Sequence, residues 1–511
     1  MKLRSSLPGS LLPVFSLSLL LAAGCSDDSP ATDAGAPSDV GTPADSGTPS
    51  DVGIPVDSGA PDSGVPAAPR VLAISATGHD RFFGVTFDPA GNFYAVGVVS
   101  NGNVAATADF ETVVAKFSAA GALDTTFGTG GYARRNLAVG LGGEVARGIV
   151  VQSTGKIVVA ATVEHAGATD ARDRDIALAR FNADGTRDTS FGTDGVVTLD
   201  LSAGEVVGTG YVADSAWGLS VYSDGRLLVS GAQKRSGGTD SDFAVVRLSA
   251  DGVRDAAFGT NGVAAVDVNN RNASPRTTTL LPDGGIVMAG YMDDGGVVKP
   301  VLFKLTSAGA LDPTFGTAGI FAPTVLAAVT EAYGAVLQGT SFVTAGYGRN
   351  SASENLDWLS LRVSSTGALD TTWGTAGVAR LDLAMFNDNA RALVALPDNR
   401  VLLVGGGRPA ADNVDGMLAV LNSSGQADTT FGARGIRTYD FGGPARSGAP
   451  PCSTAARSAR SPRRRRPPEP APRPRRCTAP TVPAASRRRW PWSGRRRRSS
   501  PRRAPRSRLS R

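Results

Sequence analysis

Six aspartates recur at one place in a repeated phrase: Asp124, Asp188, Asp255, Asp312, Asp370 and Asp428. Each stands three residues before an aromatic that is followed by glycine, the aromatics being Phe127, Phe191, Phe258, Phe315, Trp373 and Phe431. Carboxylates at a fixed interval could form a ring of metal ligands or supply acid/base groups. They could equally serve locally, because an Asp beside a turn accepts nearby backbone amides. Their presence in every copy favours the local role, since an active site is asymmetric. The aromatic is then expected to plug the gap between neighbouring repeats, burying a large apolar area. His79 and His165 stand apart with no metal-ligand spacing, and Cys25, Cys452 and Cys477 are too few for a disulfide framework. There is no Ser-centred nucleophile elbow and no phosphate loop. No catalytic, cofactor-binding or metal residue is assigned.

The elements that carry these residues repeat as well. The aromatics are separated by 64, 67, 57, 58 and 58 residues. Between them lies a second motif of two apolar runs flanking a turn. It occurs at Gly84–Val98, Gly148–Ala161, Gly218–Gly231, Thr278–Gly290, Gly334–Gly346 and Ala392–Gly405. Each unit therefore offers four short strands, a to d, as in Leu219–Tyr222, Leu227–Ser230, Phe243–Leu248 and Val263–Val268. Short apolar runs bounded by Asp-Gly and Gly-rich turns are hairpin signals. Four strands per unit match a propeller blade, whereas solenoid coils of leucine-rich type run only about 20–29 residues. The expected fold is all-β: a β-propeller of four-stranded blades, with six complete repeats plus one N-terminal strand, Val71–Ser75, of a split seventh blade. That strand makes sense only if the C-terminus supplies the other three, so that no edge is left exposed.

The Gly-x-x-Asp-x-x-Phe-Gly core resembles the delta-60 repeat family, a domain-of-unknown-function β-propeller, over about residues 71–441. Trp373 is the one aromatic exchange, and Ala427 replaces the usual Leu or Arg. The resemblance implies a fold and a secreted setting, with no catalytic residues to carry over. Tyr291-Met292-Asp293-Asp294 resembles a polymerase carboxylate motif, but it runs into a Gly-Gly loop. Asp170-Ala171-Arg172-Asp173-Arg174-Asp175 is expected to be a solvated b-to-c loop.

The N-terminus reads as an address. Lys2 and Arg4 precede an apolar stretch, Leu11 to Ala23, too short for a bilayer span of ~20 residues. Leu21-Ala22-Ala23-Gly24-Cys25 resembles a bacterial lipobox, with Cys25 as the lipidated residue and Ala22 where Leu is more common. An ordinary secretory signal is the alternative. Several acyl chains, each contributing about 0.8 kcal/mol per buried CH₂, anchor stably. Ser26, rather than Asp, points to the outer membrane of a Gram-negative bacterium. From Ser26 to Pro69 there is no aromatic and no basic residue, and Asp33, Asp39, Asp45, Asp51 and Asp57 recur every six. Such a segment stays disordered and extended. A weak calcium array is the alternative, but the spacing lacks clustered ligands.

The formal charge of +6 conceals two regions. Of 52 Lys and Arg, 22 Arg stand in residues 444–511 beside one acid, Glu469, so residues 1–443 hold 30 basic and 45 acidic residues, net −15. An acidic body is no nucleic-acid binder. The Arg/Pro-rich tail reads as a shifted frame in GC-rich DNA, with an arginine-rich arm as the alternative. Joining each codon's first two bases to the preceding third base lets Cys452–Ser458 read Leu-Leu-Asp-Gly-Gly-Thr-Ile. That is close to Leu280–Ile286, an a–b hairpin.

The expected organisation is a signal peptide (1–24), a lipidated Cys25 with a disordered tether (25–70), a β-propeller (71–443) and a disordered tail (444–511). The expected ring is open or collapsed to six blades. The expected function is a lipid-anchored extracytoplasmic propeller that binds a protein or glycan through its loops, without chemistry of its own. The b-to-c connections Glu164–Asp175, Gln233–Asp242 and Arg349–Asp357 would supply that surface. The alternative is a secreted propeller enzyme acting on a polysaccharide or small molecule with loop carboxylates. An enzyme would need polar residues converging at one end of the channel and absent from sibling blades.

Overall fold

The computed structural model describes residues 72, 74–75, 80–100, 110–137, 144–165, 173–202, 205–207, 210–212, 214–234, 240–383, 386–396, 398–410 and 413–440. Cys25, the tether, His79 and the tail lie outside them. Two units divide the chain, Met1–Arg446 and Ser447–Arg511, and only the first contains described residues.

Among the described residues six four-stranded antiparallel units follow one another in the order a-b-c-d. Four are separate sheets, and two are joined into one eight-stranded sheet by a parallel Val298↔Val329 bridge. A further hairpin pairs Glu205–Val207 with Gly210–Val212. Blade 1 is Asp80–Phe87, Phe93–Ser100, Phe110–Phe117 and Tyr132–Arg135. Blade 2 is Val145–Val151, Ile157–His165, Asp173–Phe181 and Val196–Leu199. Blade 3 is Ser215–Val221, Leu227–Lys234, Ser241–Leu248 and Val263–Val266. Blade 4 is Ala273–Leu280, Ile286–Asp293, Val298–Leu305 and Ile320–Phe321. Blade 5 is Val329–Gln338, Ser341–Arg349, Asp357–Val363 and Val378–Leu381, and blade 6 is Asn389–Ala395, Val401–Ala410, Asn413–Leu421 and Ile436–Tyr439. The architecture is the expected all-β propeller type. Strands b and c are longer than their apolar runs suggest. Ladders continue through polar pairs such as Gln233↔Asp242 and Lys234↔Ser241. The same extension corrects the solvated loop at Asp170–Asp175: Asp173, Arg174 and Asp175 pair with His165, Glu164 and Val163, and Asp175 is buried.

Strand a of each blade packs on strand a of the next, from blade 1 through blade 6, which places it innermost. Strand b is buried on both faces, as all eight residues Phe93–Ser100 show, so its sequence is a continuous apolar run rather than an alternation. Five apolar cores each join two consecutive blades. The repeated aromatics sit in them: Phe127, Phe191, Phe258, Phe315 and Trp373 are each at most 1% exposed. They fill the space between blades, as expected. Phe431, in blade 6, is only half-buried and packs with its own blade's Leu402, Leu418 and Val420. At four of the five junctions the turn glycine of the next blade abuts the aromatic's glycine, and Gly252 instead meets Phe191 and Val197. Gly367 (φ +75°) lies against Gly316, whose amide donates to Thr366 O at 2.8 Å.

Val71 and Ala73 of the expected N-terminal strand lie outside the described residues. Leu72, Ile74 and Ser75 are not in a strand. The amides of Ile74 and Ser75 donate to the Asp80 carboxylate at 2.6 and 2.7 Å, and no strand c lies beside them among the described residues to pair with.

Candidate functional site

The repeated aspartates prove to be local. Asp312 Oδ1 accepts the Thr314 amide at 3.0 Å and its hydroxyl at 2.6 Å, while Oδ2 pairs with Lys304 at 2.9 Å. Asp370 repeats this with Thr372 and Arg362, and Asp188 with Ser190, Arg180 and Lys156. The partner cation eight residues upstream also covers the repeated aromatic: Arg180 over Phe191, Arg247 over Phe258 and Arg362 over Trp373, at 4.5–4.8 Å. These bonds fasten the c–d turn to the inter-blade aromatic and leave no ring of free ligands.

The hydrogen bonds from Thr314 and Lys304 hold Asp312 down at about 2, and those from Thr430 and Arg400 hold Asp428 at about 2. A depressed folded pKa stabilises the fold fully above the ordinary carboxyl value of ~3.9 and loses that contribution as pH falls through the folded value. The urea midpoint is therefore expected to be flat above pH ~5 and to drop between pH ~4 and ~2. Asp312→Asn and Asp370→Asn should flatten that drop; an unchanged acid limb in both would refute the assignment.

A different set of residues converges at the innermost strands. Each strand a carries a β-bulge near its start. The bulged positions hold Phe83, Arg147, Trp217, Arg276, Tyr333 and Arg391 in blade order, with Thr277 sharing the bulge in blade 4. Aromatic and arginine alternate. A bulge twists the strand and re-aims its extra residue. It also explains the glycine that closes strand b in five blades. Gly97, Gly231, Gly290, Gly346 and Gly405 face the bulges, and a Cβ on Gly346 would overlap the Glu331 carbonyl oxygen. Gly97 is three residues from the end of its strand, so the bulges sit where the b-to-c connections leave.

The alternation produces a run of cation–π contacts. Arg147 lies 5.6 Å from the Phe83 ring centre and 4.0 Å from that of Trp217. Arg276 lies 3.8 Å from Trp217 and 4.3 Å from Tyr333, and Arg391 lies 4.4 Å from Tyr333. Arg276 donates to Tyr291 Oη at 2.8 Å and Tyr333 Oη at 3.0 Å, and Tyr333 shares a 3.1 Å hydrogen bond with Tyr347 Oη. Burial pushes the Tyr333 hydroxyl up against the opposing Arg276, and pushes Tyr347 well up, with Glu331 adding to it. Both phenols thus stay protonated donors at neutral pH. The tyrosines make the arrangement asymmetric: where blades 4 and 5 have Tyr291 and Tyr347, the siblings have Val98, Thr162, Ala232 and Gly406. The site offers fixed positive charge and hydrogen-bond donors, a setting for anions.

The family described as domain of unknown function (DUF5122) beta-propeller matches residues 152–191, 223–258 and 281–315. Three of the repeats match the DUF5122 β-propeller model. Each matched segment of a DUF5122 repeat runs from the a–b turn to the repeated aromatic, so no bulge residue falls within one. No curated protein matches the sequence. Solved structures similar to this chain include a glucose dehydrogenase (12% identity, TM-score 0.39, covering 63% of this chain and 93% of that one). The soluble aldose sugar dehydrogenase of Escherichia coli gives 11%, 0.36, 64% and 93%. The arabinanase Arb43A of Bacillus subtilis gives 14%, 0.30, 55% and 95%.

The sequence carries a signal for the bulge residues only after the repeats are aligned on strand a. In five blades the bulge residue immediately precedes the small residue that opens the strand-a motif, as in Phe83-Gly84, Trp217-Gly218 and Tyr333-Gly334, whereas Arg276 stands one residue further back because Thr277 shares its bulge. The Arg349–Asp357 connection is closed by Glu354, which accepts the Asn350 amide and pairs with Arg380 at 3.2 Å, while Arg380 also pairs with Asp357. In Tyr291–Asp294, Tyr291 belongs to the Arg276 cluster, Asp293 accepts the Gly296 amide, and Asp294 pairs with Lys299. Three acidic trios could present oxygens to a cation: Asp175/Asp200/Asp214, Asp240/Asp242/Asp267 and Asp357/Asp382/Asp388. They recur at blade junctions, where Asp214 accepts the Leu201 and Ser202 amides and Asp388 that of Leu383. An open cleft of about 700 Å³ lies apart, between the a–b turns of blades 3 and 4; its Arg226 pairs with Asp224 and its Arg247 with Asp255.

Proposed function

We propose that this protein is a binding propeller, held at the outer membrane by lipid on Cys25 and a Ser26–Pro69 tether. In this proposal it recognises an acidic glycan or acidic protein segment at the innermost strands. The alternating run Phe83, Arg147, Trp217, Arg276, Tyr333, Arg391 carries the reading. Three guanidiniums in one run support an anionic ligand, which opposite charge attracts and orients. A guanidinium stacked on aromatic faces is held in a fixed orientation, and its planar set of N–H donors matches carboxylate geometry. The Arg and Tyr groups keep their protons near neutral pH, which suits binding better than proton transfer.

Polygalacturonate, polyglutamate and neutral dextran would separate the ligand classes in titration calorimetry. Arg391→Ala should weaken acidic-ligand binding about tenfold, the scale of one charge-assisted hydrogen bond. Affinity should also fall with salt. Equal binding of dextran, or an Arg391→Ala variant of unchanged affinity, would end this reading. For the anchor, Cys25→Ser should move the protein from the detergent phase to the aqueous phase; continued membrane association would rule lipidation out.

A further inference from the structure

Blades 1 and 6 each have one face that no other blade covers among the described residues. On blade 1, the Phe93, Ala95, Ala115 and Phe117 core is joined only by its own blade's residues and Leu72. Its strand a leaves Phe83, Val85 and Phe87 exposed at 42%, 49% and 48%. On blade 6, Val394 is 46% exposed, and Phe431 packs only within its own blade. Burial of these groups against a neighbour is what the five other junctions achieve.

The junction before blade 1 already holds part of its partner. In three other junctions an acid at the start of strand a grips the chain just past the preceding strand d. Glu144 takes the Leu137 amide, Asp214 those of Leu201 and Ser202, and Asp388 that of Leu383. Asp80 grips Ile74 and Ser75 in the same manner. By this match Leu72 corresponds to Leu199, the last residue of blade 2's strand d, and Leu72 packs against the blade 1 core. The segment stands where a strand d ends, with no strand c beside it among the described residues.

We infer that the uncovered faces of blades 1 and 6 are the walls of a seat for a seventh blade. The Leu72–Ser75 segment closes its strand d, and its strands a, b and c come from the continuation after residue 443 read in the alternative frame. In the frame as given, residues 444–511 hold 22 Arg and lack the motif of two apolar runs flanking a turn. The alternative frame admits Leu-Leu-Asp-Gly-Gly-Thr-Ile from Cys452. It begins 21 residues past Phe431, as the Leu280 hairpin begins 22 past Phe258. Residues 444–511 also outnumber the Asp80–Phe117 stretch that carries strands a to c in blade 1. Sheet faces and edges of this kind are stable when paired and aggregation-prone when left open.

The test compares the chain as given with one in which the frame is restored after codon 443. Both lack native thiols through Cys25→Ser, with Cys452→Ser and Cys477→Ser in the former. Thiols introduced by Phe87→Cys and Val394→Cys report maleimide labelling, with Val253→Cys as an exposed control. In the chain as given, both should react at the control rate. In the restored chain they should slow at least tenfold while the control does not change. A second variant grafts blade 2 residues 145–181 after residue 443, and it should give the same protection. Unchanged labelling in both completed chains overturns the inference. So does insolubility of both completed chains when the chain as given is soluble, because completing the ring should stabilise it. Protection in the chain as given that grows with protein concentration also overturns it, since a second copy would then fill the seat.

Discussion

Phe258→Ala is expected to destabilise the protein by about 3–5 kcal/mol, while the same change at Phe431 should cost only about 1 kcal/mol. The two residues occupy one position of the repeat. Phe258 is fully buried in the core shared by blades 3 and 4, under the Arg247 guanidinium. Its removal leaves a cavity that two packed sheets cannot close, and that residual volume is what makes such truncations severe. Phe431 meets only its own blade and is half-buried, so the space it leaves opens toward solvent. Urea unfolding of both variants reads the contrast directly. Equal losses would mean that Phe431 is covered as fully as its siblings, and that blade 6 has a neighbour on that face.

The second large effect is expected at a glycine. Gly367→Ala should cost about 3 kcal/mol or more, against about 1 kcal/mol for Gly339→Ala. Both residues have positive φ, +75° and +60°, so both alanines carry the backbone strain of the left-handed region. They differ in surroundings. Nothing lies within 4 Å of a Cβ on Gly339, whereas a Cβ on Gly367 would overlap the Gly316 amide of the preceding blade. Relief of that overlap requires the two blades to separate and the Gly316 N–H to Thr366 O bond to lengthen. Comparable midpoints for the two variants would show that the blades tolerate separation there.

The two substitutions also mark what can be read from the chain alone. The aromatic and the turn glycine recur in all six copies, so their periodicity and local turn chemistry were visible before any contact was known. The same holds for aspartates such as Asp312 and Asp370, whose partners lie two and eight residues away, whereas the Arg400 partner of Asp428 comes from the a–b turn of its blade. The bulge residues behave differently. Arg147, Arg276 and Arg391 look like ordinary solvated charges in a strand, and Phe83, Trp217 and Tyr333 like further apolar positions. One extra residue in strand a changes which face every following side chain takes, so an alternating pattern cannot place them until register is fixed.

The sequence by itself determined the repeat, the four-strand blade, the inter-blade role of the aromatic and the local role of the aspartate. All of these depend on short-range spacing, which alternation and turn residues encode directly. Only the tertiary structure decided that strand a lies innermost, that six bulge residues from six blades stack as alternating aromatics and arginines, and that Asp80 grips the segment before it. It alone showed which copies of an identical motif differ: Phe431 is only half-buried and strand-a residues of blades 1 and 6 are exposed, because a repeat buries its faces against neighbours. Burial in such an array is a property of the junction between two units, and no single unit's sequence contains it.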